Sequence, residues 1–145
     1  MSKSNAFETD ILELFFNATA LADLAENDTS SPAANLFVSL HTGDPGEAGT
    51  QATSETAYTG YARVAVARTA NGWTVANGVV NPANNIDFGE CTASPGNAIT
   101  HFALGTNGTA GQAGYLMYSG TVTPNITMAN GVIPRLKTTS NISED

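Results

Sequence analysis

The sequence predicts a mainly β protein, an antiparallel, jelly-roll-like β-sandwich with one N-terminal amphipathic helix. Charged residues make up only 12% of the chain. That is about half the usual share, while Thr, Asn, Ala and Gly are abundant. Because Thr favours strands and Asn followed by Gly favours tight turns, this bias indicates a β body. Asn-Gly pairs beginning at Asn71, Asn77, Asn107 and Asn130 separate short segments. A chain of 145 residues has room for a single domain with one core.

Residues 5–26 carry the one convincing helical pattern. Apolar residues recur there at spacings of three and four, and Asn5 followed by Glu8 suits a capping arrangement. The members of this apolar stripe are Phe7, Ile11, Leu14, Phe15, Ala18, Leu21, Ala22 and Ala25. The stripe has two candidate partners, the protein's own sheet or a neighbouring subunit. Residues 27–34 then form a short linker, because Asn, Ser and Pro break a helix.

The remainder of the chain alternates between strand and turn patterns. Strands are predicted at 35–41, 61–69, 73–80, 85–88, 99–104, 115–122 and 132–138, with a weaker one at 126–128. Pro134 cannot donate to a strand ladder, which places the last strand at an edge or a bulge. The predicted organisation is a helix and linker over 1–34, a β-sandwich over 35–139 and a C-terminal tail over 140–145, all within one domain.

A polar connection between the first two predicted strands, the 42–60 loop, is the most informative segment. A structureless loop of this length is uncommon in a compact domain, and it usually binds something or is held by a neighbour. The loop and the helix are therefore the elements that we expect to dock onto other proteins. The candidate docking residues are Phe7, Ile11, Phe15, Asp44, Pro45, Glu47, Glu55, Tyr58 and Tyr61.

Charge and composition exclude several classes of partner. The net charge is −8, with five basic residues in total, so the chain has no basic patch for nucleic acid or an anionic membrane. Cys91 is the single cysteine and forms no internal disulfide; we expect it to be a small buried residue. There is neither a signal-peptide pattern nor an apolar run long enough for a membrane span. We expect the protein to be made in a cytoplasm and to work without export by the general pathway.

Residues with catalytic chemistry are sparse. The histidines are His41 and His101, and neither belongs to a metal-binding motif. A metal site or an acid–base pair at His41, next to the acidic loop, is a minor alternative to a simple strand end followed by the Asp44-Pro45-Gly46 turn. The chain has no nucleophile elbow and no phosphate-binding glycine loop. We therefore predict no catalytic residue, no cofactor and no metal.

Aromatic residues offer a further interpretation. Tyr58 and Tyr61 flank Gly60 and would form a platform for a sugar or a protein, whereas the simpler interpretation of Tyr61 is cross-strand packing. Trp73 is expected in the core or at a subunit contact.

The order of these segments resembles a group of small tailed-bacteriophage virion proteins, often labelled tail-fibre-like. The resemblance is carried by LELFFNATA, LFVSLHTGDPGEAGT, SETAYTGYARVAV, ITHFALGT, GYLMYSGTV and ITMANGVIPRLKT, which together run from about residue 7 to 139. Its most specific part is LHTGDPGEAGT followed closely by YARVAV. The resemblance implies a β-sandwich structural protein of the virion and supplies no catalytic residues.

Within that group, the chain is short, lacks fibre-like repeats and is acidic, which favours a position on the head. The expected function is therefore a non-enzymatic decoration or cement protein on the outer capsid surface. Its partners would be the major capsid protein and itself, as a dimer or trimer, with no nucleic acid and no membrane. The alternative is a tail, tail-fibre or baseplate component, and the third hypothesis is a carbohydrate-binding module.

Overall fold

The computed structural model describes residues 5–20 and 33–143, which form one helix and nine strands. These are α1 (Asn5–Asn17), β1 (Asn35–His41), β2 (Val64–Ala67), β3 (Trp73–Ala76), β4 (Val79–Pro82), β5 (Ile86–Asp87), β6 (Ile99–Gly105), β7 (Leu116–Ile126), β8 (Arg135–Leu136) and β9 (Ile142–Ser143). The described chain is mainly β with antiparallel sheets and one N-terminal helix, consistent with a β-sandwich, so the predicted fold class is confirmed.

The strands form three sheets within the described residues. Their orders are β2-β1-β6-β7, β3-β4-β9 and β5-β8. The chain divides into two compact units. The first takes the described residues before Leu36, Val66–Ile86 and the residues from Leu136 on, and the second takes Leu36–Ala65 and Asp87–Arg135. Both units draw on separated segments of the chain.

Helix α1 begins as predicted but ends earlier. Ala18 has a left-handed backbone with φ 55°, and the Thr19 N–H donates to the Glu13 carbonyl across 3.1 Å. A left-handed residue directly after a helix is a common stop. The predicted continuation to Glu26 is therefore wrong over residues 18–20, while residues 21–26 lie outside the described part of the chain.

The buried face of α1 packs on the β3–β4 hairpin of the same unit. Leu12 and Phe16 are 0% exposed, and the Phe16 ring meets the Trp73 ring edge-on with centroids 4.9 Å apart. The Thr9 hydroxyl accepts a hydrogen bond from the Gly78 N–H across 2.9 Å. Packing on the protein's own sheet is therefore confirmed for this face. The predicted stripe omits Leu12 and Phe16, and it includes Phe15, which is 41% exposed.

The predicted strand at 73–80 is two strands joined by a tight turn. Asn77 and Gly78 both have positive φ, 52° and 71°. This is the turn geometry that joins twisted antiparallel strands and that an Asn-Gly pair favours. The predicted C-terminal tail also contains a strand that the sequence analysis missed, since β9 pairs with Val79 and Val80. The two residues of β9 are too few to produce a visible alternation.

The second unit contains β1, β6 and β7, which lie side by side. β1 has the predicted bounds, and its register with β6 runs from Phe37 opposite Gly105 to His41 opposite His101. β7 extends beyond the predicted 115–122, through Pro124 to Ile126. The weak strand predicted at 126–128 is wrong beyond Ile126, because residues 127 and 128 belong to no strand. It is an end strand of its sheet, the position where proline is tolerated. Cys91 is 0% exposed, as predicted.

Candidate functional site: the 42–60 loop and its anchors

The 42–60 loop is folded onto the strands of its own unit. Its start is an Asx turn, in which the Asp44 carboxylate accepts the Gly46 N–H across 2.9 Å and Gly46 takes a positive φ of 69°. Its end pairs with the β1 strand through an isolated bridge between His41 and Glu55. The Thr56 N–H also donates to the Leu40 carbonyl across 3.0 Å. The loop therefore has internal structure of its own.

Gln51 is a buried polar anchor of this loop. Its side-chain amide donates to the Phe37 carbonyl across 3.3 Å and accepts from the Asn107 N–H across 2.9 Å, and the residue is 0% exposed. A Cβ at Gly105 or at Gly114 would lie 2.3 Å from a Gln51 side-chain atom. The glycines at both positions therefore leave the space that this amide occupies.

A second anchor is the buried ion pair between Glu55 and Arg63. Two nitrogens of the Arg63 guanidinium donate to the two Glu55 oxygens, each across 2.8 Å, and the side chains are 0% and 3% exposed for Arg63 and Glu55. Arg63 also donates to the carbonyls of Asn107 and Gln112 across 2.9 and 2.8 Å. One guanidinium thereby holds the 42–60 loop and the β6–β7 connection together.

Further donors surround the Glu55 carboxylate. It accepts from the Tyr61 hydroxyl across 2.7 Å and from the Gly111 N–H across 2.8 Å. Burial raises the pKa of Glu55, but the hydrogen bonds from Arg63, Tyr61 and Gly111 outweigh burial and hold that pKa below its ordinary 4.5. Glu55 is therefore a buried carboxylate that stays ionised, with its oxygens committed to internal donors.

His41 is also committed internally. Its Nδ1 lies 2.8 Å from the Thr53 carbonyl oxygen, and its Nε2 lies 2.9 Å from the Ser39 hydroxyl. Since a carbonyl only accepts, Nδ1 carries the proton, and in the neutral imidazole Nε2 accepts from the Ser39 hydroxyl, which also lies 3.4 Å from the Ala103 carbonyl oxygen. Burial lowers the pKa of His41 below its ordinary 6.5, against the opposing effects of the Thr53 carbonyl and Glu55. Ser39 and His41 are both 0% exposed, so this hydroxyl–imidazole pair is closed to a substrate.

The tyrosines of the candidate docking set face inward. Tyr58 is 3% exposed, and its hydroxyl donates to the Gly89 carbonyl across 2.8 Å. Burial raises the pKa of Tyr58 to about 12. The Tyr61 hydroxyl accepts from the Leu40 N–H across 3.1 Å, and the Tyr58 and Tyr61 rings meet at 5.4 Å. Tyr58 therefore has no open ring face for a sugar, which contradicts the carbohydrate-platform hypothesis at this position. Trp73, 2% exposed, lies in the core, one of its two expected places.

The remaining candidate docking residues divide between the surface and the interior. Asp44 and Glu47 are exposed, whereas Pro45 is buried. On α1, Phe15 is exposed and Ile11 is half-buried, and the side chain of Phe7 lies outside the described part of the molecule. Asp44 and Glu47 line a groove of about 400 Å³. Its other lining residues were not among the candidate docking residues; they are Gly46, Leu116, Met117, Tyr118 and Ser119.

Three arginines have structural partners that the sequence did not reveal. Arg68 donates to the Phe15, Ala33 and Leu14 carbonyls, across 2.7, 2.9 and 3.0 Å. Cations at the end of a helix stabilise its exposed carbonyls. Arg63 is enclosed, and Arg135 forms an exposed pair with Asp87. No sequence motif marks these contacts, because each joins residues that are distant in the chain or separated by a turn.

Metal binding and membrane spanning find no support in the described residues. Within 5–20 and 33–143, no group of three or more His, Cys, Asp or Glu side chains is placed to hold a metal ion. Likewise, no helix in that part of the chain is both long and apolar enough to cross a membrane.

These features define a β protein whose interior polar groups hold its own loops in place. The family model described as podophage GP4 fiber I protein gp80 matches residues 2–142. The chain belongs to this family. It is thus a fibre-like bacteriophage virion protein, which agrees with the resemblance to tailed-bacteriophage virion proteins found in the sequence. No curated protein matches the chain.

Proposed function

We propose that this protein is a non-enzymatic structural component of a phage fibre assembly, attached through its surface to other virion proteins. The observation that carries the proposal is the fibre-family match over residues 2–142. It favours the tail-side alternative of the sequence analysis over capsid cementing, because the family is described as a fibre protein. The proposed partners are therefore proteins of the tail or fibre and further copies of this chain.

The geometry of the polar residues supports a structural role. The pair that most resembles a nucleophile and its base, Ser39 and His41, is fully buried. The carboxylate with the most strongly organised surroundings, Glu55, is held by Arg63, Tyr61 and Gly111. A catalytic group must reach the atoms that react. These groups instead bind the protein's own backbone and side chains.

The charge distribution supports a protein partner over nucleic acid. The net charge is −8. The guanidinium groups of Arg63, Arg68 and Arg135 are engaged with internal acceptors. Phosphate binding depends on available cations, whereas an acidic surface is steered toward a basic patch on a protein.

Copy number per particle tests the proposal. Quantitative mass spectrometry of purified virions gives the ratio of this chain to the major capsid protein. A fibre component is present in a small multiple of the tail symmetry, so we expect tens of copies or fewer. A ratio corresponding to hundreds of copies would place the protein on the capsid lattice and contradict the proposal. Turnover of a substrate that is lost in His41→Gln would contradict the non-enzymatic part.

A further inference from the structure

The outer edge of β7 is a long sheet edge on which no further strand pairs within the described residues. Among the described residues, β7 is the last strand of its sheet and lies beside β6 alone. An edge strand presents backbone donors and acceptors that another extended chain can pair with, and proteins usually block such edges with charges or proline. The eleven residues Leu116–Ile126 include no charged side chain. Pro124 interrupts the edge near its far end.

A groove of about 400 Å³ runs along this edge. Its lining includes four consecutive residues of β7, Leu116 to Ser119, together with Asp44, Gly46 and Glu47 of the loop. Because successive strand residues point to opposite faces of a sheet, a groove lined by four in a row follows the side of the strand. The groove therefore adjoins the edge where an added strand would lie.

The loop side of the groove is acidic. Asp44 and Glu47 are both exposed, and the lining contains no basic residue. The β7 side of the lining includes the apolar side chains of Leu116 and Met117, which suit the apolar stem of a lysine or arginine, while the two carboxylates suit its charged end. The combination matches strand addition, in which backbone pairing gives affinity and pockets for alternate side chains give specificity.

We propose that the β7 edge and this groove bind an extended segment of another protein, with Lys or Arg at alternate positions. In taking that protein to be a virion component, the inference rests on the proposed function. A second copy of this chain is a poorer occupant, because its β7 carries no cation and it would bring the same two carboxylates. The partner is thus defined by an extended backbone and alternating positive charge.

Peptide binding to the purified full-length protein tests the proposal. The probe is a fluorescein-labelled octapeptide of alternating valine and lysine, followed by fluorescence anisotropy at low ionic strength. Three control peptides are used: one carries glutamate in place of lysine, and two carry N-methyl groups on alternate amides, one for each register. We expect binding of the lysine peptide that weakens with added salt, no binding of the glutamate peptide, and loss of binding in the N-methylated peptide whose methyl groups fall on the pairing amides.

Two matched double variants locate the site. D44N/E47Q neutralises the groove, and D10N/E90Q neutralises one exposed aspartate and one exposed glutamate elsewhere. D44N/E47Q removes the charge pairs between two carboxylates and the peptide lysines, so it should weaken binding of the lysine peptide about threefold to tenfold. D10N/E90Q should change that binding little. Equal weakening in both variants would reduce the effect to net charge and overturn the proposal.

Other results would also overturn the inference. These are failure of the lysine peptide to bind, unchanged binding of the N-methylated peptides, or a dimer of the protein that the peptide dissociates, which would assign the edge to a second copy. The assay uses no virion. A negative result therefore leaves the proposed fibre function standing, and a capsid location for the protein would leave the binding result intact.

Discussion

Two bidentate carboxylate–arginine pairs in the same unit differ almost entirely in their surroundings. Glu55 and Arg63 have side chains 3% and 0% exposed, whereas Asp87 and Arg135 have side chains 46% and 52% exposed. The buried pair also binds Tyr61, Gly111 and two backbone carbonyls. The exposed pair keeps water as a competing partner. The same two functional groups therefore make an anchor in one place and a surface contact in the other.

The largest expected effect comes from removing one charge of the buried pair. Glu55→Gln leaves the Arg63 guanidinium enclosed without its counter-charge, so we expect the free energy of unfolding to fall by about 3–5 kcal/mol. Urea unfolding followed by tryptophan fluorescence and circular dichroism measures this. Asp87→Asn is the matched control and should leave the unfolding midpoint unchanged. Equal losses in the two variants would contradict the comparison.

A smaller effect is expected when the positive charge is kept but the planar guanidinium is removed. In Arg63→Lys, a single ammonium group cannot donate to both Glu55 oxygens and both backbone carbonyls in the geometry of the guanidinium. We expect a loss of about 1–3 kcal/mol in the free energy of unfolding, because some buried acceptors lose their donor. Arg135→Lys is the control at the exposed pair and should be neutral. A fully stable Arg63→Lys protein would show that the geometry of the guanidinium does not matter.

Acid should destabilise the protein in two stages. The pKa of His41 in the folded state lies below its ordinary 6.5, so the unfolded chain takes up that proton more readily and stability falls as the pH drops below about 6.5. The pKa of Glu55 lies below 4.5, so a second loss begins below about that pH. The stabilisation from both groups is fully present above 6.5.

Unfolding midpoints in urea, measured across this pH range, separate the two stages. His41→Gln should remove the upper stage, and Glu55→Gln should remove the lower one from an already weakened protein. A stability that rises on acidification through pH 6 would reverse the sign that burial of His41 requires. Asp87 also has a lowered pKa, because Arg135 donates to it, but solvent screens that contribution.

The smallest effect on stability is expected at the exposed tip of the 42–60 loop. D44N/E47Q changes two exposed carboxylates, so the unfolding midpoint should stay constant. The same variant should reduce the amount of this chain in virions, as quantified by mass spectrometry, if the tip contacts a partner. An unchanged amount of this chain per virion would show that Asp44 and Glu47 do not contact a partner. The exposed acids would then differ from Glu55 only in contributing nothing to stability.

The sequence predicted what depends on local pattern. The β1 strand has its predicted bounds, and the Asn77-Gly78 turn has the positive φ values that these residues favour. Two element bounds were predicted wrongly because the apolar pattern runs past the point where the element ends. The pattern continues across the Asn77-Gly78 turn, so one strand was predicted over 73–80, and it continues through Ala18, so the helix was predicted too long. Ala18 gives no sequence sign that its backbone is left-handed.

The candidate site was harder to predict, because its contacts are between segments far apart in the sequence. Glu55 was expected to dock and is an internal anchor, and the partners of Gln51 and Arg63 lie across the fold in the β6–β7 connection. A single sequence carries no record of such pairings. Asp44 and Glu47 are exposed, as expected for acids in and next to an Asp-Pro-Gly turn, and their docking role stays a prediction.

The most direct test of the account is the position of this protein in the intact particle. Cryo-electron microscopy of virions that carry a small tag after Ser143 would locate it without assuming a partner. The account predicts density for the tag at the fibres or their attachment sites. Density spread over the capsid lattice would contradict it and restore the capsid-decoration hypothesis.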